Sequence, residues 1–338
     1  MLVALALPAI AVGADSATTG TWAATTSMSA PRANMTATTL GNGRVLVVGG
    51  AQRTTTELYD PASGTWLAGG TLSEPRGLHV AVPLTGGRVL VAGGGTYRAS
   101  AELYQPATNS WTPTGSMSVG RIDATGTLLR DGRVLVVGGL ASDGSGVQAS
   151  AELYNPATGS WTPAGSLRNP RRAHSAVLLP DGTVLVVGGS NSSGAVHDAE
   201  RYDPARGRWS RAGTSSTAGT SATLLDDGRV LVALGPEAEL YDPARNRWAP
   251  TGSMTSIHGG PAVRLQDGRV LVAGAGSGDV YSPATGTWTA TGPMVFPYAS
   301  AAGALLPTGK VLYAGGIRSA CAKFGGCEPL ADAALYTP

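Results

Sequence analysis

The sequence predicts an all-β, seven-bladed propeller. Three observations carry that prediction: one motif recurs seven times, each copy is patterned as short strands, and one copy is divided between the two ends of the chain. A Val-rich run ending in glycine stands at residues 45–50, 89–94, 134–139, 184–189, 230–235, 270–274 and 311–316. Tyr59, Tyr104, Tyr154, Tyr202, Tyr241 and Tyr281 each precede a tryptophan by seven residues, at Trp66, Trp111, Trp161, Trp209, Trp248 and Trp288. Tyr336 has no tryptophan after it, and Trp22 has no tyrosine before it. Trp22 is therefore expected to supply the fourth strand of the last blade and so close the ring.

Within a copy each element has a local cause. The first strand is a short apolar run, as at residues 176–179, followed by Pro180-Asp181-Gly182, a tight hairpin signal. The second is a continuous β-branched run, the pattern of a strand covered on both faces. The third carries Glu-Leu-Tyr, and the fourth is centred on tryptophan. Between those two, Asp-Pro-Ala-Thr-Gly sets a turn through the fixed φ of proline and the positive φ open to glycine. Four strands in about 40–50 residues make a propeller blade. One such sheet cannot hide both its faces, so neighbouring copies must stack on it, and closing the circle leaves no outermost copy exposed.

The glycine pair after an apolar strand, the tyrosine and the spaced tryptophan resemble the kelch repeat, and the resemblance covers residues 18–338. It implies the propeller fold but does not choose among protein-binding scaffolds, sugar-acid epimerases and copper-radical oxidases such as galactose oxidase. The copper enzymes use two histidines and two tyrosines, one cross-linked to a cysteine, with a tandem Tyr-His pair. No tyrosine precedes a histidine here and both cysteines fall in one loop, so no copper and no other cofactor or metal is expected.

Composition excludes other classes. A net charge of +2 gives no broad stripe for nucleic acid, and no apolar run downstream of the first residues is long enough to cross a membrane. Residues 2–12 form an apolar segment of signal-peptide length, followed by small residues that suit cleavage after Ala14 or Ala17. Residues 1–17 are thus expected to be an export signal and 18–338 the propeller, secreted or held in the cell envelope and monomeric. The segment lacks the usual positive start. Cys321 and Cys327 bracket a short loop and are expected to form a disulfide, which an oxidising compartment allows.

Strands that run up and down place the repeated turns on one face. The other face carries the connections that diverge: residues 140–150, 190–199 and the long 317–333, against a single Pro236 near the end of the fifth apolar run. Binding residues sit on divergent loops held by a rigid scaffold, so a protein or glycan partner is expected there. At the approach to each first strand stand Arg32, Arg76, Arg121 and Arg171, then Thr217, His258 and Tyr298. A ring of guanidiniums with His258 and Tyr298 at the channel mouth would suit an anionic ligand, since arginine pairs bidentately with carboxylates. Pairing of the same arginines with Glu57, Glu102, Glu152 and Glu200 would instead make them part of the fold.

His79 and His174, three residues after an arginine, suit packing. His197 beside Asp198 suits solvent or acid-base work in a cleft. The glycines of residues 274–278 lead to another strand and read as a loop. Asn34 and Asn191 begin glycosylation sequons, and of the two only Asn191 falls in a loop expected to be exposed.

Three functions follow: an exported binding scaffold, which we favour; a lyase or epimerase on an acidic sugar, with Arg121 and Arg171 neutralising the carboxylate and His258 or Tyr298 moving a proton; and a structural spacer.

Overall fold

The computed structural model describes residues 20–338 apart from 51, 142–143, 218–220, 257–259 and 319–327, together with all side chains in that set except that of Leu234. Residues 1–17, expected to direct export, lie outside the described residues, as do His258, Cys321 and Cys327. Seven four-stranded antiparallel sheets follow one another along the chain. Six are built from consecutive segments. The seventh pairs Ala302–Leu305, Val311–Ala314 and Ala333–Thr337 with Thr21–Thr25 from the front of the chain. Trp22 faces Tyr336 in register, as Trp66 faces Tyr59 and Trp161 faces Tyr154. Every tyrosine–tryptophan pair thus belongs to the last two strands of one blade.

The apolar second strands are the centre of the packing. Val45, Leu46, Val47 and Val48 are all fully buried. Strand alternation sends Val45 and Val47 into the layer against blade seven, and Leu46 and Val48 into the layer against blade two. This is why the run is continuously apolar rather than alternating. Each such valine or leucine contributes about 1.5–3 kcal/mol when taken wholly out of water. The core is therefore a ring of inter-blade layers, each shared by two neighbours.

The glycine pair has a steric cause. Gly138 has φ of 63°, and a Cβ there would lie 2.5 Å from the carbonyl oxygen of Arg171 in the next blade. Beside it, the Gly139 amide donates to that same oxygen at 2.9 Å. Gly50 to Arg76, Gly94 to Arg121 and Gly316 to Arg32 repeat the bond, the last of them joining blade seven to blade one. Ala275 and Gly276, both at positive φ, turn the sixth blade's chain directly from its second strand to its third, so the expected loop at residues 274–278 is a two-residue turn, with Gly274 and Ser277 paired across it as strand ends.

A further ring of small residues lines the axis. The second residue of the first strand, or its equivalent, is Ala37, Ala81, Gly126, Ala176, Ala222, Ala262 or Gly303. A Cβ on Gly126 would come 2.2 Å from Val80 Cγ1 of the preceding blade. The innermost strands converge on the axis, and this position sets how closely they approach.

Candidate functional site at the channel mouth

The four arginines lie inside the fold. Arg32, Arg76 and Arg171 are 0% exposed and Arg121 is 1% exposed. Arg32 Nε donates to Glu57 at 3.0 Å, and its Nη1 donates to the carbonyls of Gly49 and Thr55. Glu57 also accepts the amide of Ser29, so the segment leading into the blade is pinned across its top. Arg76 with Glu102, Arg121 with Glu152 and Arg171 with Glu200 repeat the arrangement at 3.2, 2.9 and 3.2 Å. Burial pulls each guanidinium's pKa below the ordinary arginine value, and the paired glutamate opposes that shift. The guanidiniums are thus not presented at the mouth. Their donors are taken up within the blade they lead into.

The departures from the rule are informative. Blade five keeps the buried Glu239 but has Thr217 in the arginine's place; the carboxylate accepts the Ser215 hydroxyl at 2.6 Å and the Ser216 amide at 2.8 Å. Blade six has Asp279, which accepts the amide and hydroxyl of Thr255. Blade seven replaces both partners at once. Tyr298 stands for the arginine and Ala334, two residues before Tyr336, for the glutamate; both are fully buried. The Tyr298 hydroxyl is buried with no hydrogen-bond partner among the described residues, and burial drives its pKa far upward. A phenol held this way is a poor proton carrier.

What does follow each of these arginines is a belt of backbone. Asn34, Leu78, Asp123 and Ala173 each stand two residues after an arginine and each has φ between 51° and 59°. The amide of Leu78 donates to Asn34, that of Asp123 to Leu78 and that of Ala173 to Asp123, at 2.9, 3.0 and 2.9 Å. One hydrogen bond therefore passes from blade to blade across the first four blades. Ser300 holds the same conformation, at 54°, in blade seven. A left-handed Leu or Ala costs roughly 1–2 kcal/mol, and such residues cluster where a fold serves a site. Asp123 and Arg172 face each other in this belt at 3.6 Å, and burial raises the Asp123 pKa. The sequence offers only a fixed offset of two residues from each arginine, and nothing in residue type betrays a positive φ at Leu78.

The histidines are placed apart. His79 and His174 are buried, and their Nε2 atoms meet Thr36 Oγ1 and Thr125 Oγ1 of the preceding blades at 2.9 and 2.8 Å. His197 is exposed and meets the Ser215 carbonyl, while Asp198 accepts from Asn169 and Thr214 instead. The sequons are the reverse of the expectation: Asn34 is the exposed one, whereas Asn191 is partly buried with its amide donating to Pro170. Loop position alone misjudged them, since the belt lifts Asn34 into the open.

Among the described residues no group of three or more His, Cys, Asp or Glu gathers closely enough to hold a metal ion. His79 and His174 sit in blades two and four, each committed to a threonine, so the described histidines do not fit a copper centre.

The Kelch motif profile matches residues 125–168 and 171–216, which span blades three and four. A search of curated proteins found no match. Among solved structures, the chain is similar to one described as a novel fungal alcohol oxidase with catalytic diversity among the AA5 family, in complex with copper. The TM-score is 0.77 at 20% identity, over 95% of this chain and 76% of that one. At that identity the likeness is one of fold. Seven sheets, a ring closed by Trp22 and a glycine pair and tyrosine–tryptophan ladder in register make this chain a seven-bladed β-propeller of kelch repeats.

Proposed function

We propose that the chain is an exported, monomeric binding scaffold that takes a protein or glycan partner on its divergent face, around the channel mouth. The observation that carries this reading is the belt of Asn34, Leu78, Asp123, Ala173 and Ser300, whose left-handed backbone sets unlike side chains at equivalent positions from blade to blade on that face. The irregular connections lie on the same face. They include the hairpin of Ser190–Asn191 with Gly194–Ala195 and the pair of Tyr298–Ala299 with Ile317–Arg318. Kelch propellers commonly serve as protein-interaction scaffolds, which agrees with a rigid disc bearing variable loops. Export rests on the apolar residues 2–12 and on the closely spaced Cys321 and Cys327. The acidic-sugar enzyme gains nothing from Arg121 and Arg171, whose donors are consumed inside their blades.

The test replaces Asn34, Leu78, Asp123 and Ala173 by glycine, which keeps the backbone conformation and removes the side chains. Partners retained by the parent from envelope proteins or a glycan array are expected to bind the variant at least tenfold more weakly, with thermal stability preserved. Equal retention by a folded variant sinks the reading.

A further inference from the structure

The turn between third and fourth strands repeats a pair of hydroxyls. Ser63 with Thr65, Thr108 with Ser110, Thr158 with Ser160 and Thr285 with Thr287 are hydrogen-bonded at 2.7, 2.7, 2.6 and 2.7 Å. Blades four and five, and no others, abandon this pair: the two positions are Arg206 and Arg208, then Arg245 and Arg247. All four side chains are exposed. Arg206 and Arg245 make surface pairs with Asp203 and Asp242, with 76% and 74% of the arginine side chains exposed, and such pairs add little stability. The fold gives no reason for the exchange, and a repeat departs from its own rule where something besides folding is served.

The exchange lies beside a run of clefts on the repeated-turn face. One of about 560 Å3 separates blades three and four, with Asp131, Asp181 and Asp203 beside Arg130, Arg133 and Arg206 on its walls. The next, about 380 Å3, separates blades four and five and is walled by Asp181, Asp227 and Asp242 with Arg229 and Arg245. A third of about 320 Å3 follows between blades five and six, beside Asp226, Asp227, Asp267 and Arg269. Each of these carboxylates is paired with an arginine, Asp131 with Arg133, Asp181 with Arg201, Asp227 with Arg229 and Asp267 with Arg269, so the walls carry alternating charge, and the lone pairs the ion pairs leave free accept hydroxyl donors. Rim arginines do the opposite, pairing bidentately with carboxylates. Both demands are met by a chain that carries many hydroxyls and spaced carboxylates. A nucleic acid or an acidic peptide offers too few hydroxyls against the floor. A membrane surface would want apolar side chains, and among the described residues the large exposed ones are Leu67 and Val295, outside the turns concerned.

We propose that this face, from blade three to blade six, is a second binding site for a uronic-acid polysaccharide, distinct from the divergent face. The full chain is titrated with polygalacturonate, polyglutamate, neutral dextran and phosphatidylserine vesicles at low and physiological salt. Polygalacturonate is expected to bind most tightly, with affinity that falls as salt rises. Restoring the repeat's own residues, R206T/R208T/R245T/R247T, is expected to weaken it at least tenfold. R168S/R211A, which removes exposed arginines elsewhere on blade four, is expected to change it less than twofold. The milder R208T/R247T, which leaves both surface ion pairs in place, reads the same effect if the fourfold variant folds poorly. Equal binding by parent and restored chain overturns the proposal. So does an equal loss in the control variant, or arginine-dependent binding of polyglutamate or vesicles as tight as that of polygalacturonate. The glycine belt variant leaves this site intact, so the two proposals fail separately.

Discussion

Trp22 and Tyr336, 314 positions apart in the chain, meet with their rings tilted at 50° and 5.1 Å between centroids and face each other across one strand pair. The indole also meets Tyr313 edge-on at 5.3 Å, and its Nε1 donates to Thr291 of blade six at 3.1 Å. The first strand of the chain is thereby held by its own blade and by the one before it.

Replacing Trp22 with alanine is expected to lower stability by about 3 kcal/mol, near the lower bound for truncating a large aromatic, since this one is partly exposed. The urea midpoint of W22A checks it. W111A, which removes the equivalent ring away from the seam, is the comparison. It is expected to lose a similar amount, while W22A alone also lowers the m-value by loosening the joint. An unchanged midpoint in W22A would mean that the N-terminal strand does not close the ring.

How much of this was legible in the sequence follows from what repetition can and cannot encode. The blade count, the split copy and the Tyr59–Trp66 type of pairing were readable, because a sevenfold register leaves one consistent stacking. The role of Arg32 was half readable: a recurring Arg with a recurring Glu57 admits either a pair or a ligand ring, and only burial separates them. The Leu78 belt was not readable, since leucine at positive φ contradicts its own preference and is imposed by the neighbouring blades. Arg208 and Arg247 were visible as departures, yet repeated turns draw the eye away from the face that carries them.

The buried pair of Arg121 and Glu152 gives a second prediction. Removing one member leaves an uncompensated buried charge, so R121M is expected to cost about 3–5 kcal/mol. Blade seven shows another solution with Tyr298 and Ala334 in the same places. The double variant R121Y/E152A copies it and is expected to regain at least half of the loss. A thermodynamic cycle from denaturant midpoints measures the coupling. If R121M is as stable as the parent, the arginine is not a lock.

Acid should weaken the ring through His79 and His174. Burial, reinforced by the nearby Arg76 and Arg171, lowers both imidazole pKa values to about 3 from the ordinary 6.5. The unfolded chain therefore takes up protons that the folded chain refuses between those two values. Stability is unaffected by these groups above about pH 6.5, falls as pH drops toward 3, and levels off below it. The slope is about 1.4 kcal/mol per pH unit for each histidine. Blade one carries Met35 at the position of His79, so H79M is a substitution the fold already tolerates. Urea midpoints between pH 4 and 7 are expected to fall less steeply in H79M than in the parent, and least in H79M/H174M. Parallel curves for all three chains would show that these imidazoles titrate as freely in the folded state as in the unfolded one.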